Sequence, residues 1–592
     1  MKRNIDWPIV LAPVKEHRRR IVLLVLTMVF VGGLDALFPL LSGIAVDRFV
    51  VPGTTDGLAL FALAYGSAAL LLALSVWFLV VTAGRIEMGL MHSFRRAAFR
   101  HLQTLSLSYF DVTPVGWIMA RLNSDVQRLG ETVAWGLVDI VWGSAMMLAV
   151  AVAMVVINPP LAALVLLVVP PLALASYWFQ RRILVEHRQV RSLNSLISAS
   201  FNEGISGTAT SKVLVREDEN LREFGDLTGR MQRASVRAAL YSAVYMPVVL
   251  LLGSIGTATA LLAGGAQVTA GTATMGTVVA FIGYTVLFFE PVREVARVLT
   301  EFQSARSAAE RIATLLQQQP AITDTATVEA EFGSILEPRQ ENWPRCSGEV
   351  FFQGVSFFYR PEEPVLKNFD LHVAAGEVVA LVGETGSGKT TIVNLVSRFY
   401  EAQEGRILID GVDIRERSQS WIRSNLGYVL QTPHLFRGTV RENIRRGRPD
   451  ATDDEVEAAA AMVAAHDVIS ALSDGYDHEV GEGGAGLSTG EKQLISFART
   501  ILADPRIFIL DEATSSIDTE TELRIQRATR AILRGRTSFV VAHRFSTIRD
   551  ANRIVVLHKG QILEAGTHEE LLQRDGAYAA LYREQFATQP QL

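Results

Sequence analysis

Cysteine is almost missing. Cys346 is the one cysteine in 592 residues, which excludes an intramolecular disulfide framework and a metal cluster built from cysteine alone. A dominant charge is missing as well. The formal net charge of -5 is small for this length, so bulk electrostatics offer a polyanion little, and nucleic acid is not an expected partner. No cleavable leader is evident. The N-terminal segment carries Lys15, Arg18, Arg19 and Arg20, and the apolar run that follows outlasts the h-region of a signal peptide. Low cysteine and the lack of a targeting peptide suit a bacterial inner membrane.

Apolar sequence is what the chain has in plenty, and it is unevenly placed. Mean hydropathy is +0.25 although 20% of the residues are charged, a combination that points to two chemically different halves. Before about residue 300, six runs (21–46, 58–83, 131–157, 160–180, 241–265 and 275–298) reach the ~20 apolar residues that a bilayer-spanning helix needs. Pro170 and Pro171 are expected to kink the fourth, with neighbouring helices satisfying the freed carbonyls. A soluble protein would have to hide all six runs at once. Basic residues set the orientation. HRRR precedes the first run, and 84–130 and 181–240 are rich in arginine, while VVPGTTDG, NPP and GGAQVTAG carry almost no positive charge. Both termini and both long polar stretches are therefore placed in the cytoplasm.

Those long stretches read as helical extensions that double back near DVTPVGW (111–117) and EGISGTATSK (203–212). Such projecting ends suit contact with a soluble domain, and plain connectors fit the same residues. Asp35, Asp139 and Glu290 fall inside the spans. They either line a transport path or pair with a neighbouring helix, Glu290 with Arg293 for example.

After a linker (301–347) the pattern becomes that of a soluble α/β domain. VVALVG reads as a buried parallel strand, and it runs into GETGSGKTT and then a helix. This is a complete G-x-x-x-x-G-K-[ST] phosphate loop in its strand–loop–helix setting. The backbone N–H groups from Gly383 through Glu384, Thr385, Gly386, Ser387 and Gly388 wrap the phosphates. Lys389 reaches the β and γ oxygens, Thr390 ligates Mg2+, and Thr391 follows on the helix. RIFILDE supplies the partner motif, with Asp511 at a strand end to hold the magnesium and Glu512 to polarise an attacking water.

With these residues in view, the chain resembles the ATP-binding cassette superfamily, and GLSTGEKQLISFART (486–500) is similar to its signature segment. The resemblance implies that Tyr359 stacks on adenine and that Gln431 senses magnesium and water. It implies further that Ser515 to Asp518 touch the opposite site and that His543 hydrogen-bonds the γ-phosphate. Catalysis would rest on Glu512, His543 and Gln431, and the metal on Thr390, Gln431 and Asp511. Ser488 and Gly490 would bind the ATP of a partner chain, because in this family two cassettes stack head to tail and helix N-termini favour phosphate. HEVGEGG (478–484) resembles the segment that meets the membrane domain in exporters.

One cassette after six spans implies a half-transporter of the type IV exporter fold: a helical membrane domain (21–300) after a cytoplasmic segment (1–20), fused to an α/β P-loop domain (348–592). The signature departs from the family's Leu-Ser-Gly-Gly-Gln at Thr489 and Glu491. Ser488 and Glu491 match a capping box. An altered signature beside an intact Glu512 favours a heterodimer, with the homodimer as the alternative. The expected activity is ATP-driven export of hydrophobic or amphipathic small molecules by alternating access. A lipid or lipid-linked flippase and an ATP-gated regulatory or channel-like protein are the other readings.

Overall fold

The computed structural model describes residues 7–511, 519–541 and 545–585. The chain divides into two compact units. Met1–His101 with Val115–Gln318 form one, and Leu102–Pro114 with Gln319–Leu592 form the other.

Among the described residues of the first unit, five helical stretches are long and apolar enough to cross a membrane: Arg18–Val50, Leu58–Leu102, Val115–Ile157, Pro159–Ser206 and Glu217–Thr269. The sixth expected span falls at the start of the long helix Met275–Leu316, whose apolar stretch among the described residues is Met275–Pro291. Helices continue beyond the apolar runs, as the arginine-rich stretches predict: the fifth is 53 residues long, roughly 80 Å at 1.5 Å per residue.

The Pro170–Pro171 pair interrupts the fourth stretch, as expected. One helical segment ends at Leu166 and the next begins at Val169, so both prolines lie in a first turn, where a missing N–H costs nothing. NPP is a capped turn. The Asn158 side chain accepts from Leu161 N at 3.1 Å and donates to Gln267 Oε1 at 2.6 Å.

Small residues let these helices approach closely. A Cβ on Gly32 would sit 2.9 Å from Met146 N, and one on Gly276 would sit 2.1 Å from Gly43 O. Asp47 fastens the latter crossing, accepting from Thr274 Oγ1 and Gly276 N at 2.6 Å each. Among the intramembrane acids, Asp35 accepts from Trp142 Nε1 at 2.9 Å, which is the helix-pairing reading. Glu290 is exposed, and the Arg293 side chain lies outside the described residues.

The second unit is built on two sheets. Strands β1 (Val350–Arg360), β2 (Glu363–Val373), β4 (Glu404–Ile409) and β5 (Val412–Asp413) form an antiparallel sheet in the order β2-β1-β4-β5. Strands β3 (Val378–Val382), β6 (Leu426–Val429), β9 (Ile507–Asp511), β10 (Thr537–Val541), β11 (Arg553–His558) and β12 (Gln561–Gly566) form the other, ordered β12-β11-β3-β10-β9-β6. All of its neighbours pair in parallel except β11 and β12. A short pair, β7 (Gly438–Thr439) with β8 (Glu479–Val480), stands apart.

Every residue of β3 is buried, and the strand period of two divides them between two cores. Val379 and Leu381 join Ile392, Leu395 and the antiparallel sheet, whereas Val378, Ala380 and Val382 join Leu494, Phe497 and the mostly helical half.

Arg398, fully buried after the helix Lys389–Val396, anchors the linker: Nη1 donates to Asp324 Oδ1 at 2.9 Å and Nε to Glu401 at 2.8 Å. Removing one partner of a buried pair costs about 3–5 kcal/mol. Because Glu401 remains, Asp324→Ala is expected near the lower end. Differential scanning fluorimetry of the full-length protein should show a fall of roughly 10 °C in its melting transition.

Candidate phosphate and signature sites

The C-terminal ends of β3, β10, β9 and β6 lie side by side in the parallel sheet, the edge where α/β sheets place ligands. From β3 the loop 383–388 turns into the helix Lys389–Val396. Two of its glycines are required by geometry. Gly383 has φ +153 and would bring a Cβ to 2.3 Å from Leu557 O, and Gly388 has φ +108 with a Cβ 2.9 Å from Leu366 Cδ2. Glu384, Thr385 and Gly386 form the exposed crest, followed by buried Ser387. The Ser387 Oγ is buried with no hydrogen-bond partner among the described residues, as suits a hydroxyl that faces an anion.

Lys389 is 8% exposed, and its Nζ donates to Gly383 O at 2.7 Å and Glu384 O at 2.8 Å. Burial pushes its pKa down and the nearby Asp511 carboxylate opposes that shift. The ammonium and the carboxylate thus face one electrostatic environment, the arrangement that phosphate with a divalent cation requires. Thr390 is exposed on the first helical turn.

Asp511 is the half-buried last residue of β9, and Gln431 is exposed just beyond β6, the strand paired with β9. The oxygen-bearing side chains of Thr390, Gln431 and Asp511 are a hard donor set suited to Mg2+. Glu512, Ser515 to Asp518 and His543 lie outside the described residues.

Tyr359 is 48% exposed near the end of β1. Its hydroxyl lies 3.3 Å from Thr391 Oγ1, and its ring meets Phe357 and Tyr400 nearly edge-on at 4.8 and 5.0 Å. One side is packed, and enough of the ring is open for a planar base to stack.

The signature helix, Thr489–Ala503, begins at exposed Ser488 and has the capping box that the sequence allows. Ser488 Oγ accepts from Glu491 N at 3.3 Å, and Glu491 Oε2 accepts from Ser488 N at 2.7 Å. Gly490 is buried. The helix packs Leu494, Ile495 and Phe497 into one core, whereas the phosphate-loop helix packs Ile392 and Leu395 into the other. The parallel sheet therefore separates the two helices within one chain.

Sequence reasoning missed Arg499. From this helix it donates to His434 O at 3.1 Å and Asn443 O at 2.9 Å, fastening the stretch after Gln431. Burial and the neighbouring Arg446 push its pKa down to about 10. Its signal, an arginine on an otherwise apolar helix face, was present but had no partner to point to.

The comparisons with known proteins agree with this architecture. The ABC transporter transmembrane region matches residues 21–292, and the ABC transporter family matches residues 366–515. An ATP-dependent lipid A-core flippase of Syntrophus aciditrophicus (strain SB) is 34% identical over 97% of this chain and 93% of its own length.

The chain belongs to the ABC transporter family.

A fatty acid ABC transporter ATP-binding/permease protein of Mycobacterium bovis is 39% identical over 81% of this chain and 74% of its own length. A solved bacterial Atm1-family ABC exporter with ATP bound superposes with a TM-score of 0.75 at 29% identity, covering 97% of this chain and 99% of that one. The chain is thus a membrane-embedded ABC transporter of the type IV exporter fold that binds ATP and couples its hydrolysis to transport.

Proposed function

We propose that this ABC transporter exports hydrophobic or amphipathic small molecules as one subunit of a heterodimer. The observation that carries the heterodimer is the Ser488–Glu491 capping box. Glu491 occupies the Ser488 N–H and sets a carboxylate at the helix end that would meet a partner's triphosphate, where like charge is unfavourable. A second chain with an unaltered signature would complete the site formed by this chain's Lys389, Glu512 and His543.

In that site the loop from Gly383 to Gly388 and Lys389 hold the phosphates, and Tyr359 carries the base. Thr390, Gln431 and Asp511 hold Mg2+, and Glu512 activates water. Ser488 and Gly490 serve the partner's ATP. The chain is divided for these tasks into 1–20, 21–300, a linker 301–347 and a cassette 348–592, in a bacterial inner membrane with the cassette cytoplasmic.

The tip of the second intracellular hairpin supports association with another chain. Val213 and Val215 are 81% and 82% exposed, an apolar end that pairing would cover. Leu26, Phe30, Leu74 and Phe78 line an open, shallow apolar groove between the first two spans, a surface that lipid tails fit as well as an apolar cargo does. Its two hydroxyls, on Thr27 and Ser75, are spent on their own helix carbonyls at 2.9 and 2.7 Å. The names of the flippase and fatty acid relatives favour a lipid-like cargo as the second reading.

Glu491→Gln keeps the capping geometry and removes the charge. In the chain purified alone, whose self-paired sites carry the altered signature, the residual ATPase is expected to reach half-saturation at about tenfold lower ATP, ~1.4 kcal/mol. No change, or weaker ATP use, would remove the argument for a heterodimer. Cargo class is tested in proteoliposomes, by ATP-dependent uptake of a fluorescent amphiphile against dithionite-protected flipping of a labelled phospholipid. Uptake without flipping supports export of small molecules, and flipping without uptake supports the lipid reading.

A further inference from the structure

The first intracellular turn carries a contact that no motif announces. Residues 102–114 group with the cassette unit, and within them the short helix Leu107–Val112 presents Asp111. The Tyr400 hydroxyl donates to the Asp111 carboxylate. Ser106, buried one residue before that helix, accepts from Ile322 N of the linker at 3.0 Å. The turn is therefore bonded both to Tyr400 and to the linker.

Tyr400 ends the segment SRFY that follows the phosphate-loop helix, and its ring stands at 87° to Tyr359 with centroids 5.0 Å apart. Phe357 closes the cluster, 4.8 Å from Tyr359 and 5.8 Å from Tyr400, again near-perpendicular. Tyr359 in turn lies 3.3 Å from Thr391 Oγ1. Edge-to-face packing resists rotation of one ring without its neighbour. Burial, then the bond to Asp111, pushes the Tyr400 hydroxyl's pKa up, so it remains a donor throughout the working pH range.

We propose that Asp111 is a positioning residue for the nucleotide base: through Tyr400 the intracellular turn sets the angle of the Tyr359 ring. A turn held in place presents a flat, pre-set ring to adenine, and a displaced turn lets Tyr400 and Tyr359 rotate. By reciprocity of linkage, a bound base holds the turn as firmly as the turn holds the base. The inference rests on the reading of Tyr359 as the base platform.

The test is steady-state ATPase of the full-length protein in nanodiscs, with its partner chain if one is required, read as KM against kcat. Asp111→Ala and Tyr400→Phe should each raise KM for ATP about three- to tenfold, the worth of one hydrogen bond, with kcat within about twofold. Tyr400→Phe removes a single oxygen and guards against misfolding of the alanine variant. Asp111→Asn keeps an acceptor and should behave as wild type. In a Tyr359→Ala background, Asp111→Ala should add nothing.

If Asp111→Ala multiplies KM by the same factor in that background, or if Asp111→Asn matches Asp111→Ala, the relay is overturned while the platform stands. If Tyr359→Ala leaves KM unchanged, the platform fails and the relay with it.

Discussion

Lys389→Ala is expected to reduce ATP turnover and ATP-driven transport by at least about 100-fold, the scale seen when a positioned charge-stabilising group is removed. The ammonium is held by the loop carbonyls it donates to, Gly383 O at 2.7 Å and Glu384 O at 2.8 Å, so it is poised over the loop rather than free in solvent. Alanine removes the cation that offsets charge on the transferring phosphoryl group. The membrane spans are remote in sequence from this loop, so membrane insertion should be unchanged. Protease protection and membrane fractionation check insertion, and phosphate release with vesicle uptake checks activity. Transport persisting in the variant would refute the assignment of this loop.

Glu512→Gln should have an effect of comparable size. A general base contributes about 10²- to 10⁴-fold, and the glutamine amide cannot take a proton, while the groups proposed to hold ATP, Tyr359, the loop and Lys389, are left in place. Turnover should fall by that factor with ATP affinity kept, as filter binding of labelled ATP would show. The variant also separates the two assemblies. Wild-type chain alone turning over robustly, with full loss in the pure Glu512→Gln homodimer, would contradict the heterodimer.

Much of this was readable in the residues because its physics is local. A phosphate loop is dictated by positions where glycine alone fits, and the loop takes left-handed φ at Gly386 and Gly388. Apolar runs in the membrane unit became helices since a bilayer leaves a backbone few other ways to satisfy its polar groups. Ser488 and Glu491 capped their helix as a three-residue spacing allows. What stayed hidden depends on pairs far apart in sequence. Asp111 and Tyr400 are 289 residues apart, and Arg499 reaches Asn443 across 56. No periodicity encodes such pairs.

The Pro170–Pro171 pair was readable in kind but not in position. A proline pair announces an interruption, and the structure places it between Leu166 and Val169, with both prolines in the turn that follows. The sixth run, 275–298, lies wholly within one helix, Met275–Leu316.

The account depends on ATP being hydrolysed at a seam between two chains, since the sheet of one cassette keeps its own phosphate loop and signature on opposite faces. The most direct measurement is phosphate release from nanodiscs sorted by mass into those with one chain and those with two, this chain pairing with itself or with a second half-transporter. Single-chain discs should be inert and two-chain discs should turn over. Equal turnover per chain in single-chain discs would contradict the seam.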